Sequence, residues 1–128
     1  MTLTLLAAFL LAPTVCLDPG HPSENGVGTK GKKLTEVAVC WDVATRVRDQ
    51  LQAEGVRVVM TKKSANEKVT NKRRAEIANE AKADLMLRLH CDAAPSRGFS
   101  VYYPARTGKV GGVTGPAKSV LASSAKAA

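Results

Sequence analysis

No apolar run in the chain reaches the roughly 18 to 20 residues that cross a bilayer. The longest, Leu3 to Ala12, already contains Thr4, so no integral membrane association is expected. The three cysteines, Cys16, Cys40 and Cys91, include no CxxC pair, which argues against a zinc knuckle or a thioredoxin-like redox motif. Their odd number leaves at least one thiol unpaired in a monomer, and all three read as small hydrophobes with no chemistry assigned. Aromatic residues are scarce, five in all, and there is neither an internal repeat nor an HExxH motif. Lys and Arg are missing from Met1 to Thr29, and Asp and Glu from Ala93 to Ala128.

What is present is a 128-residue chain with 45% apolar and 23% charged residues and a formal charge of +8. That is the composition of one compact domain, since domains commonly run about 100 to 150 residues. The charge points to an anionic partner, with nucleic acid, anionic lipid and acidic cell-wall polymer all open. Leu3 to Ala12 reads like the apolar core of a secretory signal peptide without its basic flank. Residues 1–12 are therefore expected to be a leader-like segment and 13–128 the working domain.

Thr14 to Leu17 is a short apolar run stopped by Asp18-Pro19-Gly20, a strand followed by a turn. From Leu34 the apolar positions Val37, Ala38, Trp41, Ala44, Val47 and Leu51 follow helical spacing, with Thr35 as N-cap and Gly55 as the stop. Val56 to Met60 predicts a second strand, Val69 to Ala81 a second helix and Leu85 to Leu89 a third strand. Phe99 to Tyr103 predicts a fourth strand, the glycines from Gly108 to Gly115 a flexible connection, and Ala117 to Ala128 a further helix. Alternating strands and helices predict an α/β fold, a mostly parallel sheet with helices on both faces. The chain stops within an element, so the sheet is expected to be incomplete at the C-terminus, to expose apolar surface and to be marginally stable.

In such sheets functional groups gather at the carboxyl ends of the strands. His21 follows the first strand, Glu36 opens the first helix and His90 follows the third strand. Two imidazoles and one carboxylate, with a fourth position open, make the donor set of a catalytic zinc site. Each residue also has a plainer reading: Glu36 as a helix-dipole partner, and each histidine as hydrogen-bonded structure.

The words around these residues are more specific. Val15-Cys16-Leu17-Asp18-Pro19-Gly20-His21, Leu34-Thr35-Glu36 and Ala78-Asn79-Glu80-Ala81-Lys82-Ala83-Asp84-Leu85-Met86-Leu87-Arg88-Leu89-His90-Cys91-Asp92-Ala93 resemble successive blocks of the zinc-dependent N-acetylmuramoyl-L-alanine amidases, the amidase type 3 family. The likeness runs from about Thr14 to about Tyr103 and includes Gly55-Val56-Arg57-Val58-Val59-Met60-Thr61 and Arg74. It implies that His21, Glu36 and His90 are zinc ligands and that the substrate is peptidoglycan, cut between N-acetylmuramic acid and L-alanine, outside the cytoplasm. It also implies a general-base glutamate in a later block, which this chain lacks, so a C-terminally truncated member is expected. Asp18 and Glu24 are the carboxylates nearest His21, and the resemblance gives neither the role of base. Three positions depart from the family: Pro22 in place of glycine, Lys62 in place of arginine, and Arg88 in place of a small residue, commonly serine.

Two other readings stand beside this one. The first is a zinc-binding, peptidoglycan-associated remnant without turnover. The second is a basic nucleic-acid-binding domain built on Lys30 to Lys33, Lys62-Lys63 and Lys72 to Arg74, which the scarcity of aromatics disfavours, so no nucleic acid is expected. Gly26-Val27-Gly28-Thr29-Lys30-Gly31 satisfies GxGxxG, but it lies away from the strand end and lacks the ribose-binding acid. It reads as a glycine-rich loop over the active site.

Overall fold

The computed structural model describes residues 12–95, 97–110 and 112–128. The leader-like segment therefore lies, Ala12 apart, outside the described residues. The chain divides into two compact units, one ending at Ala93 and the other running from Ala94 to Ala128.

In the first unit the order is β1 (Thr14–Pro19), α1 (Glu36–Ala53), β2 (Arg57–Met60), α2 (Asn71–Glu80) and β3 (Leu85–Leu89). The three strands form one sheet in the order β2-β1-β3, and both pairings are parallel. Val15 stands opposite Val58 and Leu85, and Leu17 opposite Met60 and Leu87. The alternating strand and helix pattern thus folds as an α/β unit.

β1 is the central strand, and successive side chains leave it on opposite faces. Cys16 and Asp18 lie on one face, Leu17 and Pro19 on the other, and all four are buried. α1 packs on β1 and β2, burying Val37, Cys40 and Ala44 at helical spacing. Its N-cap is Thr35, whose Oγ1 accepts from the Ala38 N–H at 3.3 Å. At its far end Gly55 takes φ +81, the left-handed conformation glycine adopts without penalty. Thr70 caps α2 in the same way through the Arg73 N–H.

Two expectations need correction, both in the second unit. Phe99 to Tyr103 forms no strand, and Phe99 and Tyr102 are 93% and 85% exposed. β propensity without a partner strand does not make a ladder. The glycines read as a flexible connection instead form an antiparallel hairpin, β4 (Gly108–Val110) with β5 (Val113–Gly115), in which Val110 pairs with Val113. Gly112 takes φ +84, and a Gly-Gly step is as much a hairpin signal as a linker signal. α3 (Lys118–Ala127) follows, as expected.

Candidate metal centre

The carboxyl edge of the sheet is tied together by the backbone. The Gly20 N–H donates to the Leu89 carbonyl at 2.8 Å, joining the ends of β1 and β3, and the Thr61 N–H donates to Leu17 at 3.0 Å. His21 and His90 both leave the first of these junctions, as the residues that follow Gly20 and Leu89. The Glu36 N–H donates to the Thr29 carbonyl at 2.9 Å, which sets the first turn of α1 against the same edge. All three residues singled out in the sequence therefore meet: His21, Glu36 and His90 each offer a donor atom, and these atoms lie within 4.8 Å of one another.

Glu36 is the hub, with its side chain only 4% exposed. Its Oε2 accepts from the Thr29 N–H at 2.8 Å, and its Oε1 accepts from the Cys91 N–H at 2.9 Å and from His90 Nδ1 at 2.9 Å. Burial alone would raise its pKa. The two backbone N–H groups, the His90 ring and the nearby His21 outweigh that and hold the carboxyl down at about 2. Glu36 is a buried acceptor kept ionised.

The histidines are arranged around it. His21 Nδ1 lies 3.2 Å from the Gly26 carbonyl, which can only accept. Nδ1 is therefore the donor in that bond, and the ring's other nitrogen, Nε2, lies 3.7 Å from Glu36 Oε2. This is the carbonyl-to-histidine support that commonly fixes a ligand's tautomer. The two imidazole rings meet edge to face with centroids 4.9 Å apart.

Two glycines make this convergence sterically possible. A Cβ at Gly28, which has φ +76, would stand 2.7 Å from both Glu36 Oε2 and His21 Cδ2. A Cβ at Gly20 would stand 2.7 Å from the Leu89 carbonyl and 2.8 Å from the His90 ring. Gly28 belongs to the GxGxxG segment, which does lie against the site, as the loop reading expected. The role of Gly20 was not drawn from the sequence, although its place between the strand end and His21 was a signal.

Beneath the site lies a charge network centred on Asp18. Asp18 is fully buried. Its Oδ1 accepts from Thr61 Oγ1 and from Arg74, each at 2.6 Å, and its Oδ2 accepts from Arg88 Nε at 2.5 Å. Burial pushes its pKa up, but Thr61, Arg74 and Arg88 together bring it below the usual carboxylate range. Arg74 also donates to the carbonyls of Val69, Pro19 and Pro22, fixing the loop that carries His21. Arg88, the departure on β3, finds its partner in Asp18 and also donates to Asn71 Oδ1 at 2.9 Å.

Lys62, the departure after Thr61, is buried. Its Nζ donates to the His21 carbonyl and to the Ala65 carbonyl, and burial, ahead of repulsion from Arg74, lowers its pKa. The His21–Pro22 peptide bond is cis, and the Pro22 carbonyl accepts from Arg74 at 2.9 Å. A cleft of about 10 Å³, room for roughly one water, is bordered by His21, Ser23, Asn71, Arg74, Arg88 and His90.

The other carboxylates near His21 in sequence are committed elsewhere. Asp18 is held by two guanidinium groups, and the Glu24 carboxylate accepts from the Asn71 N–H at 2.9 Å at the start of α2. Two of the three cysteines also lie closer than the sequence suggested, with Cys40 Sγ and Cys91 Sγ 3.8 Å apart. Burial, ahead of the neighbouring Cys91, pushes the Cys40 thiol up to about 12.

Two imidazoles and an ionised, buried carboxylate at the carboxyl edge of a parallel sheet define an α/β unit whose site could hold a divalent metal ion. The model of the N-acetylmuramoyl-L-alanine amidase family matches residues 15–127, and the chain belongs to that family. It is 37% identical over 99 residues to the germination-specific N-acetylmuramoyl-L-alanine amidase of Bacillus subtilis (strain 168), an alignment covering 67% of this chain and 41% of that protein. It is 33% identical over 97 residues to the N-acetylmuramoyl-L-alanine amidase LytC of the same strain, covering 73% of this chain and 19% of LytC. With the N-acetylmuramoyl-L-alanine amidase AmiC of Neisseria meningitidis serogroup B (strain ATCC BAA-335 / MC58) it shares 35% identity over 95 residues, covering 70% of this chain and 22% of AmiC. The chain thus spans less than half the length of each of these relatives.

Proposed function

We propose that residues 13–128 form a zinc-binding amidase domain, with His21, Glu36 and His90 as the ligands. Its substrate would be the amide between N-acetylmuramic acid and L-alanine in peptidoglycan, met outside the cytoplasm. The observation that carries this reading is the convergence of the three donors within 4.8 Å in a chain of the amidase family. The donor set suits zinc: nitrogen and oxygen ligands, three from the protein, with a position left over. The chemistry zinc supplies in such a site is polarisation of the scissile carbonyl and activation of water near neutral pH.

The protein's own residues prepare that site. The Thr29 and Cys91 N–H groups orient the Glu36 carboxylate and keep it ionised, so it is ready to bind a cation. The Gly26 carbonyl presents His21 Nε2, while Arg74 and Lys62 grip the carbonyls on either side of that turn. His90 Nδ1 lies 2.9 Å from Glu36 Oε1, so the ring and the carboxylate that would share the ion already face each other.

A second reading is favoured by the carboxylates. Amide hydrolysis needs a general base within reach of the water, and Asp18 and Glu24 are both engaged in other contacts. In that reading the chain binds zinc and peptidoglycan without turnover.

One experiment separates the two. Purified peptidoglycan is incubated with the protein plus zinc, and newly exposed L-alanine amino groups are counted. Their release, abolished by chelator and by His90→Ala, is the expected result for the amidase. Zinc-dependent retention on the polymer with no new amino groups would establish the non-hydrolytic reading. Neither release nor retention would overturn both.

A further inference from the structure

Cys40 and Cys91 come from different elements 51 positions apart, yet their sulfurs are 3.8 Å from each other. Cys40 is buried on α1, one turn beyond Glu36. Cys91 is half-buried and directly follows His90, and its N–H donates to Glu36 Oε1 at 2.9 Å. That backbone bond holds the Cys91 residue against the helix that carries Cys40. Cys16, the third thiol, is fully buried in β1.

We propose that Cys40 and Cys91 are a disulfide-forming pair, a redox modification site that clamps the end of β3 to α1 beside the candidate metal centre. The sulfurs, 3.8 Å apart, must close by roughly 1.8 Å to reach the ~2.05 Å bond. Cys91 is the entry point because it is the more accessible of the two. Hydrogen peroxide oxidises the Cys91 thiol to a sulfenic acid and leaves as water. The Cys40 sulfur then attacks the Cys91 sulfur, and the S–O bond breaks. The departing hydroxide takes the Cys40 proton as a second water. The two thiols lose two electrons and two protons, and one peroxide becomes two waters.

The bond would add a third tie between the two elements that carry Glu36 and His90, next to the two hydrogen bonds already made by Glu36. Such a cross-link suits an oxidising compartment, so its physiological setting rests on the extracytoplasmic reading above. The chemistry itself does not.

The test uses the full chain, chelated to keep it free of metal, treated with equimolar hydrogen peroxide and read by intact mass and by peptide mapping without reductant. The expected result is a loss of about 2 Da reversed by dithiothreitol, with the Cys40 peptide joined to the Cys91 peptide. The melting temperature should rise by on the order of 10 °C. Cys16→Ser should behave like the parent, and Cys91→Ser should lose no mass. A Cys40 thiol that stays free while Cys91 proceeds to sulfinic acid, or linkage between chains, would overturn the proposal. Zinc titration of both redox forms keeps the two readings apart: a linked peptide in a chain that binds no zinc refutes only the metal centre, and zinc binding without the link refutes only the disulfide.

Discussion

Asp18 and Arg74 form an ion pair at 2.6 Å in which the side chains are 0% and 1% exposed. Arg74 reaches from α2 to the central strand, and its remaining donors satisfy carbonyls of the loop leading into and out of His21. Removing Arg74 leaves the buried Asp18 carboxylate with only Arg88 and Thr61 as partners, and losing one partner of a buried pair costs up to about 3–5 kcal/mol. Arg74→Met is therefore expected to lower the urea midpoint steeply, whereas Arg46→Met should leave it nearly unchanged. Arg46 makes only an exposed pair with Asp42, and such pairs are worth about 0–1 kcal/mol.

Acid should destabilise the metal-free protein through Asp18 and Glu36. Both carboxyls are held below their ordinary values, Glu36 at about 2 from 4.5. A depressed folded pKa means the stabilisation is fully present above the unfolded value and is lost as pH falls through the folded one. With chelator present, the urea midpoint should therefore hold above about pH 5 and fall progressively toward pH 2. Asp18→Asn and Glu36→Gln should each start lower and show a shallower acid slope. A midpoint independent of pH across this window would show that neither group is linked to folding.

Gly28 is predicted to be indispensable to the metal centre. A methyl group there meets Glu36 and His21 at 2.7 Å and sits at φ +76, so Gly28→Ala must displace those two side chains or the loop. Zinc affinity is expected to drop by about 10- to 100-fold, the cost of disturbing the groups that orient metal ligands. Gly31→Ala is the control, because its Cβ would meet only the Leu34 carbonyl at 3.4 Å. Competition with a chromophoric chelator measures both.

The first unit was largely legible in the sequence because each element carried its own local signal. β1 is an apolar run closed by Asp-Pro-Gly, α1 has Thr35 before a helical apolar stripe and Gly55 after it, and β3 is an apolar run ending at His90. The three site residues were legible for a different reason, since in parallel α/β folds the strand ends collect at one edge. What sequence could not show were contacts between distant positions: the Asp18 carboxyl shared by Arg74 and Arg88, the Lys62 ammonium on the His21 carbonyl, and the Cys40 and Cys91 sulfurs side by side. The second unit departs from the sequence expectation where local preference is ambiguous. Phe99 to Tyr103 has strand composition but pairs with no strand among the described residues, and the glycine cluster forms a hairpin.

The account stands or falls on whether His21, Glu36 and His90 share an ion. Zinc bound per chain, measured by isothermal titration and elemental analysis of the parent protein, His21→Ala, Glu36→Gln and His90→Ala, tests this most directly. About one zinc per parent chain with affinity lost in each variant, while circular dichroism shows all four folded, is the predicted result. Equal zinc in all four proteins, or none in a folded parent, would contradict it.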